Sequence, residues 1–136
     1  MRNCTSDMRY MHEKFKVHEA IEKMDKQALK AFLRFRVACV QEEVDELKSA
    51  TADNLPIDAE ETVDALIDIC VFAIGTMDLF GVDADDAWDE VLRANINKEV
   101  GVKPGRPNPF GLPDLIKPEG WKAPSHKDNH GKLKDL

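Results

Sequence analysis

The chain has 136 residues, 43% of them apolar and 33% charged, with a formal net charge of −7 and a pI near 5.1. That length sets an expectation of one ordinary core, and the acidic balance argues against a non-specific binder of nucleic acid or of an anionic membrane surface. The longest uncharged apolar stretch, Ile69 to Met77, is far short of the ~20 residues that a membrane span needs.

Met1 to Tyr10 carries no apolar h-region, so no secretory signal is expected. Cys4, Cys39 and Cys70 are too few and too scattered for a disulfide framework or a CxxC metal knuckle. Cys39 and Cys70 sit inside apolar helical patterns and are expected to be buried. The expected compartment is a reducing cytoplasm.

In chain order, a weak pattern of Met8, Met11, Phe15 and Ile21 predicts a first helix from Ser6 to Lys23. A second, from Asp25 to Ala50, carries the amphipathic stripe Leu29, Leu33, Val37, Val40, Val44 and Leu47. A third opens at Asp58, which can cap it with Glu61 three positions on, and runs to Phe80 with Gly81 as its stop. A fourth opens at Asp83 and presents Trp88, Val91, Leu92 and Ile96 before ending near Glu99. Short connections make these an antiparallel four-helix bundle, or half of one completed by a second chain. Residues 101–136 hold six of the seven prolines and five of the seven glycines, which predicts an irregular Pro/Gly-rich tail. The expected division is therefore a helical domain over 1–100 and a basic tail over 101–136.

Two acidic clusters stand out, Glu42-Glu43-Val44-Asp45-Glu46 and Glu60-Glu61-Thr62-Val63-Asp64 continuing to Asp68. On the second helix, Glu43 and Glu46 fall roughly 60° and 120° from Val40, flanking the apolar stripe, while Glu42 and Asp45 turn away from it. On the third, Glu61, Asp64 and Asp68 gather within roughly 60° on a face that becomes apolar through Val71, Phe72, Gly75 and Leu79. An acidic face that turns apolar further along points into the protein, and Ile69 to Met77, apolar all round, is expected to be buried on every side. Partly buried like charges need a counter-charge, and no basic residue lies in either cluster. A hard divalent cation, Mg²⁺ or Mn²⁺, fits an all-carboxylate set better than zinc does. The four histidines, at 12, 18, 126 and 130, lie outside both clusters, and Asp83-Ala84-Asp85-Asp86 lacks the spacing of a calcium loop. Carboxylate-held Mg²⁺ completes its shell with water and substrate phosphates. Asn95, on the face of Trp88, Val91 and Leu92, is either a satisfied core amide or a ligand contact. Asn97, Lys98, Lys103 and Arg106 after it add groups suited to phosphate.

Glu42-Glu43-x-x-Glu46-Leu47 followed by Glu61-x-x-Asp64 resembles the paired ExxE and ExxD motifs of the MazG-like all-α nucleoside triphosphate pyrophosphohydrolases, with Arg36 one turn earlier and Ala65-Leu66-Ile67-Asp68 after them also similar. Arg93-Ala-Asn95-Ile-Asn97-Lys98 and Lys117-Pro-Glu-Gly-Trp121-Lys-Ala-Pro are similar to the compact members of phages, cyanophages in particular. The resemblance implies an all-α four-helix fold assembling as a homodimer or homotetramer. It implies Mg²⁺-dependent cleavage of a (d)NTP to the monophosphate and pyrophosphate, in the host cytoplasm if phage-encoded. Glu43, Glu46, Glu61 and Asp64 would then be the metal ligands, with Glu43 and Glu46 the catalytic pair and Glu42 and Asp68 supporting acids. Arg93 and Lys98 would meet phosphates and Asn95 the sugar or base. The tail after Val100 departs from many members of the family, and its use as a lid with Trp121 is an expectation separate from the resemblance. A dUTP-specific hydrolase and a phosphoribosyl-ATP pyrophosphohydrolase use similar acidic helices and stay open. So does a non-catalytic helical adaptor, for which the acids are merely solvated. Neither a membrane nor a nucleic-acid partner is expected, although Lys103, Arg106, Lys117, Lys122, Lys127, Lys132 and Lys134 make the tail basic.

Overall fold

The computed structural model describes residues 3–106 and 108–136, so Pro107 of the expected tail lies outside the described residues. The chain is mostly helical, with five α-helices among the described residues. No single helix among them is long and apolar enough to cross a membrane. Two compact units divide the chain, one running to Ala84 and taking in His130–Leu136, the other Asp85–Asn129. The composition boundary at Val100 falls inside the second.

The first unit is built on α3 (Lys26–Ala50) packed against α4 (Ala59–Leu79). Both begin at the expected aspartates, since Asp25 Oδ1 accepts from the Ala28 N–H at 2.8 Å and Asp58 Oδ1 from the Glu61 N–H at 3.0 Å. Asp58's own N–H donates to Ala50 O, so the cap does not engage the Glu61 carboxylate. Helix α4 ends at Phe80, followed by Gly81 at φ +72°, a left-handed stop that suits glycine. Ile21, Leu29, Leu79 and Phe80 form the buried core, with Val17, Met24, Phe32, Leu33 and Leu136 packed around it. Burying each such large side chain stabilises the fold by about 1.5–3 kcal/mol.

The expected first helix is two helices. Lys16, at φ 57°, turns the chain between α1 (Cys4–Lys14) and α2 (Val17–Glu22). A lysine has no sequence signal for that left-handed conformation, which costs roughly 1–2 kcal/mol. The turn brings α2 to the C-terminal end of α4, where Ile21 joins the core and His18 reaches Asp78. Helix α1 lies against α4 at Gly75, where a Cβ would come within 2.9 Å of Met8 Cε and of an Arg36 terminal nitrogen.

The stripe Val63, Leu66, Ile67 and Cys70 on α4 is exposed in the single chain, Val63 by 63% and Ile67 by 57%, as is Ala73. Helix α4 is therefore not covered on every side, and Cys70 is not buried, although Cys39 is. Helical periodicity puts these residues on one face but cannot say whether that face meets the same chain or another surface. Gly131–Asp135 forms a 3₁₀ turn that returns to the first unit, where the Lys132 N–H donates to Phe80 O at 2.7 Å. Gly131 sits at φ +51°, and a Cβ there would run into the backbone of Phe80 and Gly81.

The second unit holds the rest of α5 (Ala84–Ile96) and a two-stranded antiparallel ribbon, β1 (Glu99–Gly101) with β2 (Asp114–Ile116). Helix α5 thus stops short of Glu99, which pairs with Ile116 instead. Three-residue strands are too short to show alternation in sequence.

Candidate functional site

The acidic residues of α3 and α4 do not share one environment. Glu43 is half-buried, and its Oε2 is a fully buried oxygen without a hydrogen-bond partner. Burial raises its carboxyl above the usual carboxylate range, and the negative fields of Glu46, Asp68 and Asp64, with a side-chain hydrogen bond to Glu46, push the same way. Asp68 is half-buried, whereas Glu46 and Asp64 are exposed. Glu46 also lines a depression of about 610 Å³ with Asp45, Asp58 and Glu61. The structure therefore brings Glu43, Glu46, Asp64 and Asp68 into one field, and Glu46 shares the adjoining depression with Glu61. Glu42 is exposed, and Asp45 is exposed and accepts from Gln41 Nε2 at 3.0 Å.

Among the described residues, no ion pair engages Glu43, Glu46, Glu61, Asp64 or Asp68. Arg36, the nearby cation of the motif, points elsewhere. Its Nε donates to Thr76 Oγ1 at 3.0 Å and a terminal nitrogen to Phe72 O at 3.3 Å, while its guanidinium lies 4.9 Å from the Phe72 ring centroid. Burial lowers its pKa from the ordinary value. An orphaned, buried carboxylate oxygen among acids without a basic partner fits a hard divalent cation.

The expected substrate residues lie in the second unit. Arg93 is already engaged, donating to both Glu90 oxygens at 3.4 and 3.2 Å and to Ala123 O at 3.2 Å. Hydrogen bonds from Arg93 and from the Ser125 N–H hold Glu90 below the usual carboxylate range. Asn95 is exposed, not an amide in a buried stripe, and Trp88, Leu92 and Ile96 beside it are exposed as well. Trp121 donates its indole N–H to Ala94 O at 2.7 Å. Lys98 and Lys117 place their ammonium groups 5.5 and 5.0 Å from its ring centroid. Two cations on one indole leave a positive spot suited to an anion.

Sequence reasoning missed a second cluster, in the first unit. Asp78 is buried, and its Oδ2 lies 2.8 Å from His12 Nδ1 and 2.9 Å from His18 Nε2, while Arg9 Nε donates to Oδ1 at 3.1 Å. Burial opposes its ionisation. Hydrogen bonds from His12 and Arg9, with the positive fields of His18 and His12, outweigh that and hold the carboxyl below its ordinary range. The partners are 60 to 69 positions away in sequence. One signal was available: an acid in the last turn of a helix opposes the dipole, so Asp78 needed a partner.

A comparison with curated proteins gives no match. A family model does match, over residues 8–95, a span that takes in both acidic motifs and their two helices as well as the His12, His18 and Asp78 cluster. On that match the chain belongs to the phosphoribosyl-ATP pyrophosphohydrolase family.

Proposed function

We propose that the chain is a Mg²⁺-dependent nucleotide pyrophosphohydrolase that converts a (d)NTP to the (d)NMP and pyrophosphate. The observation that carries this reading is the buried, unpartnered Oε2 of Glu43, whose carboxyl lies in the negative fields of Glu46, Asp68 and Asp64. Glu43, Glu46, Glu61 and Asp64 would hold the metal, with Glu42 and Asp68 as supporting acids. Bound there, Mg²⁺ would neutralise phosphate charge and acidify water. The chain's own part is to hold these acids unpaired and to accept the proton of the attacking water, which adds across the α–β phosphoanhydride. One of these acids not fully committed to the metal would take that proton. On the second unit, Lys98 and Asn95 are the proposed substrate contacts, beside Trp121, and Arg93 acts through Glu90 and Ala123. Residues 93–98 and 117–124 keep the compact phage-type proteins as the subgroup this chain resembles.

The family's description favours a second substrate, phosphoribosyl-ATP. A pyrophosphate-release assay over the common and damaged (d)NTPs, dUTP and phosphoribosyl-ATP, with Mg²⁺ present and absent, separates the substrates. Lys98→Gln should raise KM for the substrate used. Activity on no member of the panel would favour the helical adaptor.

Metal binding has its own expected result. Mg²⁺ or Mn²⁺ should raise the melting temperature, because a ligand of the folded state contributes about 1.4 kcal/mol at ten times its Kd. No shift in millimolar metal would remove the carboxylate site.

The exposed stripe Val63, Leu66, Ile67 and Cys70 supports a homo-oligomer in which a second copy covers α4 next to Asp64 and Asp68. Sedimentation equilibrium should give a dimer or tetramer. A 15.3 kDa species at micromolar concentration would rule it out.

A further inference from the structure

We propose that His12, His18 and Asp78 form a zinc site, separate from the carboxylate cluster, that cross-links α1, α2 and α4. Each residue offers one ligand atom, and these atoms all lie within 4.8 Å of one another. Each comes from a different helix, so the site depends on the fold rather than on a local run of sequence. Both imidazole nitrogens face the same oxygen, Asp78 Oδ2, at 2.8 and 2.9 Å. Two ligands held ~2.0–2.1 Å from a tetrahedral zinc ion stand ~3.3 Å apart, so each imidazole nitrogen need move only a few tenths of an ångström from Asp78 Oδ2 to share an ion with it.

The donor set decides the metal. Two imidazoles and one carboxylate suit zinc and its neighbours in the first transition row, whereas Mg²⁺ prefers oxygen alone. The other carboxylate oxygen is already taken, since Arg9 Nε donates to Oδ1 and leaves Oδ2 to face the rings. That is the arrangement in which an outer partner fixes the orientation of a ligating group. The His12 side chain is 4% exposed and that of Asp78 0%, but His18 is 33% exposed and opens onto a depression of about 320 Å³. The fourth position therefore faces water, with Glu13 and Glu22 on the same depression as further oxygen donors. Two backbone features serve the assembly. The left-handed Lys16 swings α2 back so that His18 meets Asp78, and Gly75 admits α1 closely enough that a Cβ there would lie 3.2 Å from His12 Cε1.

Without metal, ionised Asp78 accepts from both rings, at His12 Nδ1 and His18 Nε2. Zinc would take those nitrogens in place of the protons they carry. The metal and the hydrogen-bonded form are alternatives for one geometry.

The test titrates the full chain with Zn²⁺ in excess Mg²⁺, which occupies oxygen-only sites, and follows the imidazole resonances by NMR. His12 and His18 should shift together at one equivalent, with His126 and His130 unmoved. Co²⁺ as a spectroscopic probe should give visible absorption bands that Zn²⁺ displaces. His18→Ala, with its fold checked by circular dichroism, should weaken zinc binding by at least about 100-fold, more than losing an orienting partner costs. Zinc that binds without moving the His12 and His18 resonances, that binds His18→Ala equally well, or that fails to bind at micromolar concentration would overturn the site. The NMR titration needs no variant, so the proposal stays testable if His18→Ala unfolds.

Discussion

Glu43→Gln is expected to lower pyrophosphate release by on the order of 10²-fold or more, the scale of losing one electrostatic stabiliser in an active site. Gln keeps the shape of the side chain but removes the charge that would draw the cation between α3 and α4. The same substitution should raise the melting temperature of the metal-free protein. Glu43's carboxyl lies above its ordinary range, because burial and the fields of Glu46, Asp68 and Asp64 oppose its ionisation. A group with a raised pKa contributes stability that is full below its unfolded value and lost as pH rises through its folded value. Metal-free wild type should therefore weaken across that window, and Glu43→Gln should not. Added Mg²⁺ should reverse the order of the two melting temperatures. Asp45→Asn, at an exposed side chain bonded to Gln41, should change activity by no more than about twofold, as for an ordinary surface site. Equal loss in both variants would mean that the site is built on the wrong face of α3.

Asp78→Ala should cost about 3 kcal/mol or more of folding stability, measured by urea unfolding with a chelator present so that no metal contributes. The alanine would leave the His12 ring, which is almost completely buried, without its acceptor. Arg9, with its side chain 59% exposed, can turn to water, so most of the loss belongs to His12 and to the carboxylate itself. The pH dependence runs opposite to that of Glu43. Asp78's carboxyl is held below its ordinary range, so its contribution is present above the unfolded value and lost as pH falls through the folded one. Wild type should lose this share of stability in acid, and Asp78→Ala should have none to lose. A loss below about 0.5 kcal/mol would show that the cluster contributes little to folding.

The two long helices were legible because their ends are set by local chemistry: Asp25 and Asp58 cap, and Gly81 stops. The distinction between Glu43 and its neighbours was legible for a similar reason, since a periodicity of 3.6 places Glu43 beside the core stripe and Asp45 away from it. The break at Lys16 was not, because neither glycine nor proline marks it and tertiary contacts hold the left-handed turn. Nor was the histidine cluster, which forms only when α1 and α2 fold back on the end of α4. The exposed stripe on α4 shows a different limit. Helical periodicity reports that Val63, Leu66 and Ile67 share a face, while the covering of that face depends on what packs there.

Gly131 and the bond from Lys132 to Phe80 have a consequence for how the chain can be cut and rejoined. The strands of polypeptide that leave the first unit near Ala84 and re-enter at His130 are stitched together within that unit, so Asp85–Asn129 is an insertion with a closed stem. Loop-closure entropy grows only with the logarithm of length, about 0.6 kcal/mol per doubling. Exchanging the insertion for a short Gly-Ser turn therefore asks little of the stem. Both the carboxylate cluster and the histidine cluster belong wholly to the part that would remain, so a metal titration of the shortened chain would test the two proposed sites without residues 85–129.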